Sequence, residues 1–346
     1  AATPAAPPRT MDEILAAAPA EHWRTPDPDN LLVMTLDTGR VVIELSPEHA
    51  PEHVANLRTL AREGYFDGLT INRSQDNFVV QWGDADGQDP AKAKPLGAAK
   101  ATLPAEFSTR IRDGLAFTRL PDVDGWAPQV GFSAGFPVGR DPQAGTQWLA
   151  HCYAAVGAGR GNAPDSSNGT ELYVVTGQAP RQLDLNITSV GRVLDGMHRL
   201  SAMPRSLAPG GFYTQPALRT PIRRIALASA MPEAERPRLE VMDTGSASFD
   251  ALVEARRNRA DAWYLRKAGH IDRNPPCAGI QRVFHQFLHG RGRAFHHLAR
   301  GDAVDRRLIQ LADHRSPGRA GYLGGGGVHA PICSRRKQSG PQIRRP

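Results

Sequence analysis

The sequence predicts a mainly β fold with helices, and the order of its elements suggests a β-barrel with capping helices. Three observations predict it. A clear two-strand hairpin signal opens the body at Leu31. Short β-rich runs then recur between Gly, Pro and Asn turns as far as Ala228. Helical patterns are few, and none alternates with single strands as βα units would require.

Taken in order, residues 1–9 (AATPAAPPR) are Ala/Pro-rich and read as an extended arm. Thr10 begins MDEILAAAPAEHW with Glu13 three residues on, which is the spacing of a capping box. LLVMTLDTGRVVIEL gives two β-rich runs around Asp37-Thr38-Gly39. Ser46-Pro47-Glu48 then opens a helix through about Glu63. Ala50, Val54, Leu57, Leu60 and Ala61 share one of its faces, and Gly64 stops it. A strand covers 78–82 and a loop 85–102. Residues 120–148 carry many Gly and Pro and read as a long surface loop inserted into the body. Strands are expected at 151–158, 171–176, 187–193 and 222–228, with a helix near 195–203. Residues 248–267 form an amphipathic helix after Ser248.

The net charge of +7 suggests a nucleic-acid binder until it is divided by position. Residues 273–346 hold 14 Lys+Arg against three acids, so the preceding 272 residues carry a net charge of −4. The folded body is mildly acidic and no nucleic-acid partner is expected for it. No run approaches the roughly 18 apolar residues of a membrane span. Cys152, Cys277 and Cys333 are too few and too scattered for a disulfide framework. Cys152, within a strand, reads as a buried apolar thiol.

Four segments carry the chemistry: TLDTGRVVIELSPEHAPEHVANLRTLAREGYFDG from Thr35, NRSQDNFVVQWGD from Asn72, NGTELYVV from Asn168, and GRVLDGM from Gly191. In this order and spacing they resemble the cyclophilin family of peptidyl-prolyl isomerases, over roughly residues 31–228. The resemblance implies a closed antiparallel eight-stranded β-barrel capped by two helices. It also implies cis–trans isomerisation of X–Pro bonds in client polypeptides, without cofactor or metal, by a monomer. Residues 1–30 would then be an arm with a short helix, 31–230 the isomerase domain, 231–272 a helical extension, and 273–346 a basic tail.

The same resemblance assigns the site. Rotation about the amide meets a barrier of about 18–20 kcal/mol, and the twisted prolyl nitrogen becomes a hydrogen-bond acceptor. Arg73 would donate to it, Phe78 would floor the proline pocket, and Gln81 would hold the substrate chain and orient Arg73. Val79, Tyr173, Leu183 and Ile187 would complete the apolar wall. Glu171 stands where a glutamine is usual, and its charge would pair with Arg73 or compete with substrate. The backbone contact to the chain falls on Gly159 and Arg160, or in a second alignment on Phe117-Thr118-Arg119. Asn72 replaces the usual histidine, Trp82 a glycine, and Gln182 a tryptophan. These departures raise a second reading, a proline-peptide binding module without turnover.

GAGRG at 157–161 lacks the spacing of a phosphate loop and reads as a turn. His285, His289, His296, His297 and Cys277 fit no standard zinc spacing, so no metal site is expected. After Asp272 the composition changes abruptly to Arg, Gly, His and Pro. That change fits either a shift of reading frame near residue 273 or a basic arm for anionic partners. A chain opening on Ala1 reads as an exported, periplasmic protein, with the cytoplasm as the alternative.

Overall fold

The computed structural model describes residues 9–258. The N-terminal arm, the helical pattern beyond Asn258 and the tail at 273–346 lie outside the described residues, as do Cys277, Cys333 and the tail histidines.

Helix α1 (Met11–Ala17) forms with the full capping box: Thr10 Oγ1 accepts from the Glu13 amide and Glu13 accepts from the Thr10 amide. Strands β1 (Leu31–Leu36) and β2 (Gly39–Leu45) pair from Leu36↔Gly39 outward around the expected turn. Helix α2 is Pro51–Arg62, five residues later than Ser46. Proline at 51 disfavours the helical region for Ala50, which sits at φ −141°, so residues 46–50 form turns first. Pro51 itself fits the first helical position, where its missing N–H costs nothing. Gly64, at φ +66°, ends the helix.

Strands β3 (Thr70–Ser74) and β4 (Val79–Gly83) follow. After β5 (Phe117–Leu120), three strands occupy the region expected as loop: β6 (Gln129–Ser133), β7 (Phe136–Asp141) and β8 (Thr146–Leu149). With β5 and Thr109–Arg110 they form a five-stranded antiparallel sheet. The expectation of a surface loop at 120–148 is therefore corrected. Its glycines serve strand packing: a Cβ on Gly139 would lie 2.5 Å from the Trp148 ring, and one on Gly131 would lie 2.2 Å from the Thr118 carbonyl.

The chain returns through β9 (Ala155–Ala158), β10 (Leu172–Val175), β11 (Ser189–Asp195), helix α3 (Met197–Ser201) and β12 (Arg224–Leu227). The main sheet is strongly curled and runs, with Thr220–Pro221 at one edge, through β3, β4, β10, β9, β11, β2 and β1 to β12. Thr220–Pro221 pairs with β3 and Arg224–Leu227 pairs with β1, so neighbouring residues of one stretch serve both edges. Helix α4 is Ala247–Arg257, capped by Ser246 rather than Ser248 because the Ser246 hydroxyl reaches the Phe249 amide.

Two apolar cores result. Leu32, Met34, Ile43, Trp82, Val156, Val174 and Ile225 fill the concave side of the curl with Val54, Leu57 and Leu60 of α2. On its other face β1 turns Leu31 and Val33 into a second core with Ile14 of α1, Phe132 of β6, and Phe249, Leu252 and Val253 of α4. Cys152 is buried there. Val241, Met242, Phe249, Leu252 and Val253, after residue 230, are thus part of this core.

Candidate functional site

The β3–β4 ladder builds the site. Thr70 pairs with Gly83 and Ile71 with Trp82, but the next pair is Arg73 with Gln81. Asn72 is the extra residue of a bulge. Plain alternation would turn Arg73 to the face of Ile71, into the core. The bulge turns it outward, opposite Gln81. Gln81 in turn pairs with Tyr173, and Tyr173 with Gly157. Residues directly opposite share a face, so Arg73, Gln81 and Tyr173 form one row across three strands.

This row lines a cleft of about 720 Å³. Phe78, Val79, Gly159, Arg160, Glu171, Leu183 and Ile187 line it too, so all ten residues singled out in the sequence converge there. Phe78, Val79, Tyr173, Leu183 and Ile187 pack as one apolar cluster at one part of the wall. Phe117 packs instead with Phe136, Val138 and Leu149 in the second sheet. Neither it nor Thr118 nor Arg119 lines the cleft, and the second alignment of the backbone contact is corrected accordingly.

Arg73 is held rigidly. Its Nη1 donates to Gln81 Oε1 at 3.0 Å, its Nη2 to Gln75 Oε1 at 2.6 Å, and its Nε to the Gly210 carbonyl at 2.6 Å. The guanidinium carbon lies 5.4 Å from the Phe78 ring centroid and 4.9 Å from that of Phe212. Burial lowers its pKa from the ordinary arginine value, against the pull of Glu171 and Tyr173. Arginine stays cationic through such a shift.

Gln81 stands between Arg73 and Glu171. Its Nε2 donates to Glu171 Oε2 at 2.7 Å while its Oε1 accepts from Arg73. Only this amide orientation satisfies both neighbours. The expected direct pairing of Glu171 with Arg73 is thus replaced by a relay through Gln81. Burial pushes the Glu171 carboxyl up to about 7, with Asp84 adding to the rise and Gln81 and Arg73 opposing it.

Behind the wall lies a buried polar chain. The Tyr173 hydroxyl meets His151 Nε2 at 2.8 Å, and His151 Nδ1 meets Asp184 Oδ1 at 3.0 Å. Asp184 accepts from Arg181 at 2.7 Å, and Arg181 Nη1 donates to Asp124 at 3.0 Å. Burial works to raise the Asp184 carboxyl, but His151 and Arg181 outweigh it and hold the group below its ordinary range.

Sequence reasoning missed Gln75, Gly210, Phe212 and Tyr213. All four come from turns or irregular chain, where no periodicity marks a functional side chain. Asn72, in place of histidine, is buried, and its carbonyl accepts from the Tyr213 amide at 2.9 Å. Trp82, in place of glycine, points into the main core.

Comparison with known proteins agrees with this geometry. The family model described as cyclophilin type peptidyl-prolyl cis-trans isomerase/CLD matches residues 31–225. A probable peptidyl-prolyl cis-trans isomerase of Brucella suis is 39% identical over 88 residues, 24% of this chain and 45% of that protein. Peptidyl-prolyl cis-trans isomerase-like 1 of Homo sapiens is 30% identical over 104 residues, 30% of this chain and 56% of that protein. The chain spans about half the length of these curated relatives. Among solved structures, a cyclophilin from Hirschia baltica superposes with a TM-score of 0.56 at 28% identity, covering 70% of this chain and 90% of that one.

Proposed function

The chain belongs to the cyclophilin-type peptidyl-prolyl isomerase family, and on that premise we propose that it accelerates cis–trans rotation of X–Pro bonds in polypeptides. The carrying observation is a guanidinium fixed beside an apolar wall. Three of the five Arg73 N–H groups are engaged, which leaves one on each terminal nitrogen among the described residues. The apolar cluster of Phe78, Val79, Tyr173, Leu183 and Ile187 suits a prolyl ring.

The reaction needs no bond made or broken. Partial double-bond character sets the barrier, and the catalyst must favour the twisted amide over the planar one. In that state the prolyl nitrogen gains a lone pair. Arg73 donates to it, from a position fixed before substrate arrives. Phe78 receives the ring. Gln81 holds Arg73 and presents its amide to the chain. The Gly159–Arg160 backbone lines the cleft where the rest of the polypeptide lies.

We infer further that the curled sheet is a closed eight-stranded barrel, with 220–227 counted as a single strand. Its pairing with both β3 and β1 supports that reading.

An isomerisation assay on a short Xaa-Pro peptide tests the proposal. Wild type accelerates the exchange, and Arg73→Ala loses at least about tenfold of kcat/KM, the scale of about 1.4 kcal/mol for one directed donor. A wild type that binds the peptide without accelerating it overturns the isomerase and leaves a binding module.

A further inference from the structure

The segment 203–213, between α3 and the last strand, is knitted onto the strand that carries Arg73. The Ser206 amide donates to the Ser74 carbonyl, and the Tyr213 amide to the Asn72 carbonyl, both at 2.9 Å. Phe212 forms a backbone bridge with Arg73 itself. The path depends on Gly211, at φ +78°: a Cβ there would lie 2.5–3.0 Å from the Cβ, Cα and N of Gln75. Gly210, one residue earlier, gives its carbonyl to Arg73 Nε. Two features of one short segment therefore converge on one guanidinium.

The Phe212 ring is the unexplained part. It is 44% exposed. It belongs to none of the apolar clusters of the described residues. Its ring lies closer to Arg73 than the Phe78 ring does. A cation beside an aromatic ring at this distance gains about 0.5–1 kcal/mol at exposed sites and about 2 when desolvated.

We propose that Phe212 is a positioning residue for Arg73, holding the guanidinium at the angle the twisted amide requires. The inference rests on the isomerase reading above. Phe212 also lines the cleft; acting through Arg73, it strengthens an interaction realised in the transition state, whereas a contact with the bound chain alone would show only in KM.

The test uses the full chain with Phe212→Leu, Phe212→Tyr and Arg73→Ala. Leucine keeps apolar bulk without the ring; tyrosine keeps the ring. Phe212→Leu lowers kcat and kcat/KM together by about three- to tenfold, from the cation–π range. KM is unchanged, and Phe212→Tyr restores the rate. In the Arg73→Ala background Phe212→Leu adds no further loss. Wild-type rates in Phe212→Leu, a change confined to KM, or a full additional loss without Arg73 each overturn the proposal. The NMR signal of the Arg73 Nε–H reports positioning without turnover. Its exchange with water is slow in wild type and Phe212→Tyr and faster in Phe212→Leu; equal exchange in all three overturns the proposal even in a chain that shows no isomerase activity. Absence of turnover in wild type, by contrast, overturns the isomerase reading.

Discussion

Glu171 decides how the site answers to pH. Ionised, it accepts a charge-assisted bond from Gln81 and fixes that amide with its oxygen toward Arg73. Protonated, it holds Gln81 less firmly. Its surroundings are Gln81, Asp84, Arg73 and the phenol of Tyr65, and burial sets its carboxyl at about 7 against an ordinary 4.5. Two consequences have defined signs. Between those values the folded chain keeps a proton that the unfolded chain has lost, so this group weakens folding as pH rises across the window. Activity moves the other way, rising as Glu171 ionises near 7. The pH profile of kcat/KM therefore has an inflection near 7 in wild type, and Glu171→Gln flattens it; an inflection that survives the substitution removes Glu171 from the account. At this scale much of the site was legible, because Arg73, Phe78 and Gln81 lie within one short segment. The bulge at Asn72 was not, since strand alternation alone would have turned Arg73 inward. Nor was Phe212, which belongs to a segment without period and meets Arg73 only through the tertiary fold.

The strands of the inserted sheet reach the cleft through charge. Asp124, between β5 and β6, pairs with Arg181, and Arg181 pairs with Asp184, all with side chains at most 3% exposed. Asp184 also accepts from Trp148 of β8 and from the backbone and ring of His151, which meets Tyr173 in the cleft wall. A buried ion network of this kind adds little over apolar packing, but removing one partner strands a charge at about 3–5 kcal/mol. Asp124→Ala is therefore expected near the lower end of that range, because Arg181 keeps Asp184. Urea unfolding measures it. A loss within about 0.5 kcal/mol, as for an ordinary surface loop, would mean that Asp124 is not part of the wall's support. The sequence concealed this element because Gly and Pro dominate 120–148. Yet Val130 and Phe132, and Phe136 and Val138, already alternate with period two. The turn residues outweighed a strand pattern that was present.

For the whole molecule, the decisive strand is β1. Its run LLVM has no polar residue, and the reason is burial on both faces: Leu32 and Met34 face the curled core, Leu31 and Val33 the second one. A half-exposed barrel strand would alternate with polar residues, whereas continuous apolar runs belong to strands covered on both sides. That cue stood in the sequence, but the cover could not be named from it, because α1, β6 and α4 come from three distant segments. The cover supplies Ile14, Val241, Met242, Phe249, Leu252 and Val253. At about 1.5–3 kcal/mol for each fully buried apolar side chain, the lost burial is comparable with the whole net stability of a domain, about 5–15 kcal/mol. The family segment is thus not independent of its flanks here. A chain trimmed to residues 31–230 keeps every side chain of the cleft but exposes the outer face of β1. It should unfold at a markedly lower temperature than residues 9–258 and bind a dye specific for exposed apolar surface. Equal melting temperatures for the two chains would show that the second core merely decorates the curled sheet; a low one would show that this cyclophilin depends on its flanks to hold the strand ladder, and with it the row from Arg73 to Tyr173.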